Sequence, residues 1–241
     1  VGDASMLYVS WSQGFKSGGF SAADDGEPGD FSVAQLPPPG GFVSTVPNAD
    51  FEFADESVDA IEIGGKHEFL DGRMRLNWAA FYSEYEDLQT TIFKGVGFSV
   101  KNAASSEVRG CSVDWLMQIT GSLRLGVNMA YLDATYGDFV DGPCDAIQLD
   151  QNSLCGTTAG IAQGSLNDLT GVNTFNASAW SGNAFIDYRR PLGGMELFAG
   201  VDMNYRSEFS SAGDNDPYDL IDDYTKVNAR IGLGGERWEL V

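Results

Sequence analysis

Carboxylate pairs and cysteines are the residues of this chain whose types and spacing could do chemistry. Glu84 with Glu86, and Asp222 with Asp223, could be set as the two carboxyls of a glycosidase, one protonating a leaving oxygen while the other attacks or activates water. Both pairs fall at the loop-facing ends of strand patterns, where solvated charge accounts for them. The acidic runs Asp24-Asp25-Gly26-Glu27 with Asp30, and Asp214-Asn215-Asp216 with Asp219, carry oxygen donors at spacings that would suit calcium. Neither reproduces an EF-hand loop, and no metal site is assigned. The only histidine is His67, beside a tight turn, and there is no G-x-S-x-G nucleophile turn. A His-based hydrolase therefore has nothing to rest on. The expectation is no catalytic residue, no cofactor and no enzyme.

The three cysteines divide two and one. Cys144 and Cys155 share a polar loop, and in an oxidising compartment they would close a small ring contributing about 2–3 kcal/mol on the chain-entropy model. Cys111 sits within a strand pattern as a small apolar residue. The pair Cys144–Cys155 is the expected disulfide.

The elements that position these residues are strands. From residue 74, Met74, Leu76, Trp78, Ala80 and Tyr82 fall on one face against Arg75, Asn77, Ala79, Phe81 and Ser83. The same alternation recurs at Leu125, Val127, Met129, Tyr131 and at Leu197, Ala199, Val201, Met203, Tyr205. Period two means strands, because successive side chains leave a strand on opposite faces. The opposite face is rich in Gly, Asn, Arg and Asp, and the apolar stripes tend to end in Tyr or Trp. That is the pattern of a membrane barrel with a wet lumen and an aromatic girdle. Nine strands are read, at about 6–16, 56–69, 74–93, 100–119, 123–139, 175–190, 195–209, 223–233 and from 238. Turns at 70–73, 120–122, 191–194 and 234–237 are short. At the other end the loops at about 17–53, 140–173 and 210–222 are long, and only the one near 94–98 is short. Short periplasmic turns opposite long extracellular loops mark a bacterial outer-membrane barrel.

Composition agrees. The chain of 241 residues is 43% hydrophobic and 12% aromatic with 30 glycines, which suits many strands joined by turns and not disorder. No apolar run is long enough for a membrane helix, so any crossing is made by strands. The formal charge of −21 excludes nucleic acid as a partner, since phosphate contact needs clustered Lys and Arg. There is no initiator Met or signal peptide, and Trp238-Glu239-Leu240-Val241 reads as a strand cut short. The expectation is a piece of a larger protein.

Several segments resemble the TonB-dependent outer-membrane receptors. Leu7 to Phe20 is similar to the family's barrel segment ending in G-F-[KR]-S-G-G-F. Phe53, Glu56, Val58, Glu62, Gly64 and Lys66 match F-x-P-E-x-V-x-x-x-E-x-G-x-K, with Asp55 where Pro is usual. Phe81-Tyr82-Ser83-Glu84-Tyr85-Glu86-Asp87-Leu88-Gln89 resembles F-Y-x-x-Y-x-D-x-Q, and Asn102-Ala103 with Gly110 resembles N-A…G, with Ser112 where Glu is frequent. Segments 130–136 and 224–233 look like two later barrel strands. Together they follow the family's order over most of the chain.

The resemblance implies an all-β fold, a partial transmembrane antiparallel β-barrel in which residues 1–241 supply 8–9 strands of about 22. These strands would belong to the later half, with the plug domain and TonB-contacting segment outside this chain. It implies an active transporter in the outer membrane of a Gram-negative bacterium, taking up a scarce, large nutrient such as an iron–siderophore complex. The implied partners are a TonB-type energy-coupling protein acting through the missing plug, the unknown nutrient, lipopolysaccharide and outer-membrane lipid. Divalent cations bridge lipopolysaccharide, which gives acidic outer loops an ordinary role. Ligand contacts in the extracellular vestibule are expected from Lys16, Phe20, Phe42, Tyr85 and Arg206. Phe20, Phe31, Phe42, Phe51 and Phe53 equally suit a small core within their own loop. Asn77, Asn128, Asp202, Asn228 and Arg230, with Arg75 and Asn204, are expected to face the lumen. Two other classes stay open: a passive porin or complete small barrel, and a soluble carbohydrate-binding β-sandwich.

Overall fold

The computed structural model describes residues 4–20, 33–35, 42–44, 52–94, 97–140, 142–145, 147–148, 157–158, 161–162, 167–235 and 237–241. Among them the alternating stripes form one antiparallel sheet of nine strands, each hydrogen-bonded to the next in sequence. The strands are β1 (Ser5–Lys16), β2 (Glu56–Phe69), β3 (Met74–Lys94), β4 (Gly97–Thr120), β5 (Leu123–Tyr136), β6 (Trp180–Leu192), β7 (Met195–Arg206), β8 (Tyr224–Gly235) and β9 (Trp238–Leu240). β1 and β9 are the two edges, and the sheet does not close on itself. Among the described residues no helix is long and apolar enough to cross a membrane.

Directly opposed residues share a face, so the register sorts the whole sheet into two surfaces. Leu7, Trp78, Val113, Met129 and Tyr205 lie in one such row, with Gly65 and Gly182 between them. That apolar face has no second layer among the described residues: Leu7 is 71% exposed, Val227 63% and Ile231 68%. In a soluble sandwich this face would be the core, whereas in an outer-membrane barrel it meets lipid. From Met74 to Tyr82 the apolar stripe of β3 runs about 27 Å along the strand, and a tilt of about 40° makes that about 21 Å of height. This is close to the ~25 Å apolar band of an outer-membrane barrel. Arg109 and Asp133, paired at 2.7 Å, stand on the same face just beyond the packed rings of Tyr131 and Trp180 and end the apolar band.

The other face is polar and concave: a cavity of about 680 Å³ is lined by residues from Tyr8 on β1 to Tyr224 on β8. Aromatic rings do occur on it, packed against glycines of the neighbouring strand. A β-carbon on Gly126 would overlap the Phe185 ring, and one on Gly232 the Phe198 ring. The rings thereby hug the wall and leave the concavity open.

Several element ends differ from expectation, each for a local reason. β5 stops at Tyr136 and not 139, because Phe139 turns inward to pack with Ala104, Tyr136 and Leu169 in a small loop core. β6 begins at Trp180 and not near 175, after Asn176 takes a left-handed φ of 59°. β7 ends at Arg206, since Phe209 and Ser210 pair instead with Ile221 and Leu220. Pro191 and Leu192 belong to β6, and the turn shrinks to Gly193-Gly194, whose φ values of 55° and 86° fit a mirror-image hairpin turn. A register shift in β3 centres on Asp87, at φ 53°, which no pattern in the sequence announced.

Candidate functional site

The motif residues quoted from separate segments meet at the long-loop rim of β1–β4. Gln89 Nε2 donates to the carbonyls of Ser17 and Ala54, both at 3.0 Å, and of Lys16 at 3.4 Å. The Gln89 backbone N–H donates to Glu56 Oε2 at 2.9 Å. Asn102 pairs with Ala54 like a short piece of strand: its Oδ1 accepts from Ala54 N–H at 2.6 Å and its Nδ2 donates to Ala54 carbonyl at 3.0 Å. The same Nδ2 reaches the carbonyl of the bulged Asp87 at 2.7 Å. Glu56, Asp87, Gln89 and Asn102 thus tie the returning end of the first long loop to the wall. Gly18 lets it approach, since a β-carbon there would strike the backbone at Phe53 and Ala54. Motif spacing had singled these residues out, but their common destination lay in the pairing of four strands.

Lower on the concave face, Asp187 receives Arg124 at 2.7 Å and Arg230 at 2.8 Å, one on each oxygen. Asn228 and Asn204 both donate to Asp202 Oδ2, at 2.8 and 3.1 Å. Asn77, Asn128, Asp202, Asn228 and Arg230 therefore lie on one surface, the polar one. The central carboxylate, Asp187, was missed. Its signal was its place opposite Arg124, visible only once β5 and β6 are in register.

The vestibule candidates stand on separate elements. Lys16 and Tyr85 take the polar face of β1 and β3, while Arg206 stands at the end of β7. Arg206 is engaged by two loops: it donates to Ser178 Oγ and to the Asn176 carbonyl, each at 2.6 Å, in the connection before β6, and lies 3.7 Å from the Phe209 ring centroid in the loop after β7. Phe20 is 67% exposed in a two-residue ladder with Glu52 and Phe53. Phe42 belongs to a short ladder with residues 33–35, and its side chain lies outside the described residues, as do Phe31, Phe51 and Asp24 to Asp30.

Two outer loops are stitched into one platform by Asn167, whose Nδ2 donates to the carbonyls of Pro143 at 3.0 Å and Asp214 at 3.1 Å. Asn176 N–H adds a bond to the Ser210 carbonyl at 2.8 Å. On the platform, carboxylate oxygens of Asp214, Asp216 and Asp219 lie within 4.8 Å of one another. Burial first, opposed by backbone N–H bonds and aided by the neighbouring Asp219 and Asp216 carboxylates, holds Asp214 above the usual carboxylate range. Asp216 accepts from Tyr218 N–H at 2.8 Å and caps a single 3-10 turn. Cys111 is an exposed free thiol on the apolar face. Cys155 lies outside the described residues, so its pairing with Cys144 is carried forward as a proposal.

The family model described as TonB dependent receptor-like, beta-barrel matches residues 1–240. The ferric yersiniabactin uptake receptor FyuA from Yersinia pestis has a similar fold, with TM-score 0.61 and 14% identity over 98% of this chain and 29% of that one. So does the siderophore receptor PiuA from Acinetobacter baumannii, with TM-score 0.62 and 16% identity over 95% of this chain and 27% of that one. The copper transporter OprC matches at TM-score 0.56 and 12% identity over 97% of this chain and 29% of that one. The likeness is one of fold, and the chain spans less than a third of each of these proteins. No curated protein sequence matches it.

Proposed function

The chain belongs to the TonB-dependent receptor family of Gram-negative outer-membrane barrels, and from that premise we propose that it forms one arc of the wall of an importer of a scarce, large nutrient. An iron–siderophore complex is the nutrient class we favour, because the folds it matches include a ferric yersiniabactin uptake receptor and a siderophore receptor. The observation that carries the reading is the pairing of an uncovered apolar face with a concave polar one. Lipid meets the first face and the lumen lies behind the second. Asn77, Asn128, Asp202, Asn228 and Arg230 then face the lumen, and Lys16, Phe20, Phe42, Tyr85 and Arg206 ring the outer mouth. The energy-coupling partner acts on a plug that this arc would surround, and the acidic outer loops meet divalent cations and lipopolysaccharide. The protein is a transporter and not an enzyme.

Uptake of ⁵⁵Fe from hydroxamate and catecholate chelates, by cells with and without the full-length receptor, tests this. Uptake that needs both the receptor and the proton-motive force is expected. Receptor-dependent entry of small sugars at the same rate in de-energised cells would instead establish the passive-pore alternative. Cys144 and Cys155 are proposed to be bridged. Mass spectrometry of unreduced peptides should find them linked and Cys111 alkylated, and alkylation of all three would refute the bridge.

A further inference from the structure

One register row of the concave face carries a hydrogen-bonding side chain on every strand from β2 to β8. It reads Lys66, Asn77, Asp114, Asn128, Asn183, Asn204 and Lys226, each directly opposite the next. The row beside it, on the long-loop side, has short side chains from β2 to β6, Gly64, Ala79, Ser112, Ala130 and Ser181, and large ones at its ends, Tyr8 on β1, Arg206 on β7 and Tyr224 on β8. The step between the two rows shapes the cavity of about 680 Å³. Asn183 and Asn204 are bonded to each other at 3.1 Å. Asn77, Asp114 and Asn128 have no side-chain partner among the described residues and offer their groups to the cavity.

The row does not run level. On β3 it passes through Asn77, near the short turn that follows Phe69, and on β8 through Lys226, near the strand's start at the long-loop end. Register rows lie across the strands, so strands that lean from the barrel axis make such a row climb. Six strand spacings of about 4.8 Å make about 29 Å, of which a tilt of about 40° turns about 19 Å into height. That is most of the apolar band on the opposite face.

We infer that this row is a hydrogen-bonding track down which a neutral solute rich in hydroxyl or amide groups passes from the outer mouth toward the periplasmic side. The inference rests on the import function proposed above. A carboxamide both donates and accepts, so it bonds to hydroxyls and amides in any orientation. The row sets two ammonium groups, at its ends, against one carboxylate, and the charges beside it are engaged, Arg206 by Ser178 and the Asn176 carbonyl and Asp202 by Asn204 and Asn228, which leaves no strong trap for a charged solute. Weak sites repeated at strand spacing let a solute move on, whereas a single strong site would hold it.

The test uses the full-length receptor in energised cells, carrying Cys111→Ser and one of Asn77→Cys, Asn128→Cys or Asn204→Cys. Leu76→Cys and Met129→Cys serve as apolar-face controls. The probes are a cationic and an anionic methanethiosulfonate added outside. All three track positions should react and the controls should not. Reaction at 77 and 128 should slow about tenfold when the proton gradient is collapsed, because it follows the fraction of receptors that are open. The two probes should react at 128 at similar rates. Labelling at 204 alone would overturn the track while leaving import intact. Equal labelling of 77 and 128 with and without the gradient would overturn energised import, and the track with it. A preference of about tenfold or more for either charge would overturn the neutral-solute assignment.

Discussion

Asn102 presents one carboxamide to Ala54 as a strand edge would present a peptide group, accepting and donating at 2.6 and 3.0 Å. Removing it should loosen the rim without touching the sheet. Asn102→Ala is expected to lower the local opening free energy by about 1–2 kcal/mol. Hydrogen exchange should then speed up at Ala54 and Gln89 and stay unchanged at Asn128; unaltered exchange at Ala54 would show that the knot is not what holds the loop. On the platform, Asp214 supplies a pH dependence whose sign follows from its raised pKa. The folded carboxyl keeps its proton to higher pH than the unfolded one, so the folded loop binds more protons. Its contribution is therefore fullest below the unfolded value of about 3.9 and is lost as pH rises through the folded value. Asp214→Asn keeps an oxygen for the Asp216 N–H and leaves the carbonyl that Asn167 uses. Proteolysis across 211–219 should be slower in this variant at neutral pH and should vary less with pH than in the wild type. A profile identical to the wild type's would reject burial of that charge as the cause.

At the scale of the strand, one position of register separates two environments. Met129 and Asn128 are neighbours in β5, yet Met129 shares a face with Val113 and Gly182 while Asn128 opposes Asp114 and Asn183. Met129→Arg should cost about 2–4 kcal/mol in a lipid environment, and Asn128→Arg should cost far less. Denaturant unfolding of the full-length receptor in lipid vesicles measures both, and the reverse order would mean that the faces are exchanged. The Gly193-Gly194 turn is equally local. Both residues have left-handed φ, so a β-branched side chain at either is strained while the strands on each side remain intact.

Across the whole molecule, the sheet is an open arc: β1 pairs only with β2, and β8 lies between β7 and β9. A wall that is part of a large barrel keeps β1 and β8 far apart, whereas a ring of eight strands would bring them side by side and a ring of nine would leave only β9 between them. With Cys111→Ser in place, the pair Val9→Cys and Val227→Cys in the full-length receptor should therefore resist oxidative cross-linking. Efficient cross-linking within one chain would establish the small-barrel alternative. The same arc explains why Arg206 and Lys16 share no site. They lie on β7 and β1, with five strands between them.

The two-residue alternation alone determined which segments are strands and which side chain goes with which face, because strand geometry couples sequence parity to direction over a few residues. It identified Trp78 and Met129 with one surface and Asn77 and Asn128 with the other. Turn positions at 70–73 were legible for the same local reason, through Asp71-Gly72. Relations between residues far apart in the chain were not legible. That Glu56, Gln89 and Asn102 converge on Ala54, that Asp187 bridges Arg124 and Arg230, and that seven polar residues align from Lys66 to Lys226 all depend on register. Register is set by hydrogen bonds between strands and by how loops such as 137–179 fold back. A shift of two residues would keep every side chain on its face and scatter the knot, the bridge and the row. Only the tertiary structure distinguishes those alternatives, because alternation is blind to a shift by its own period.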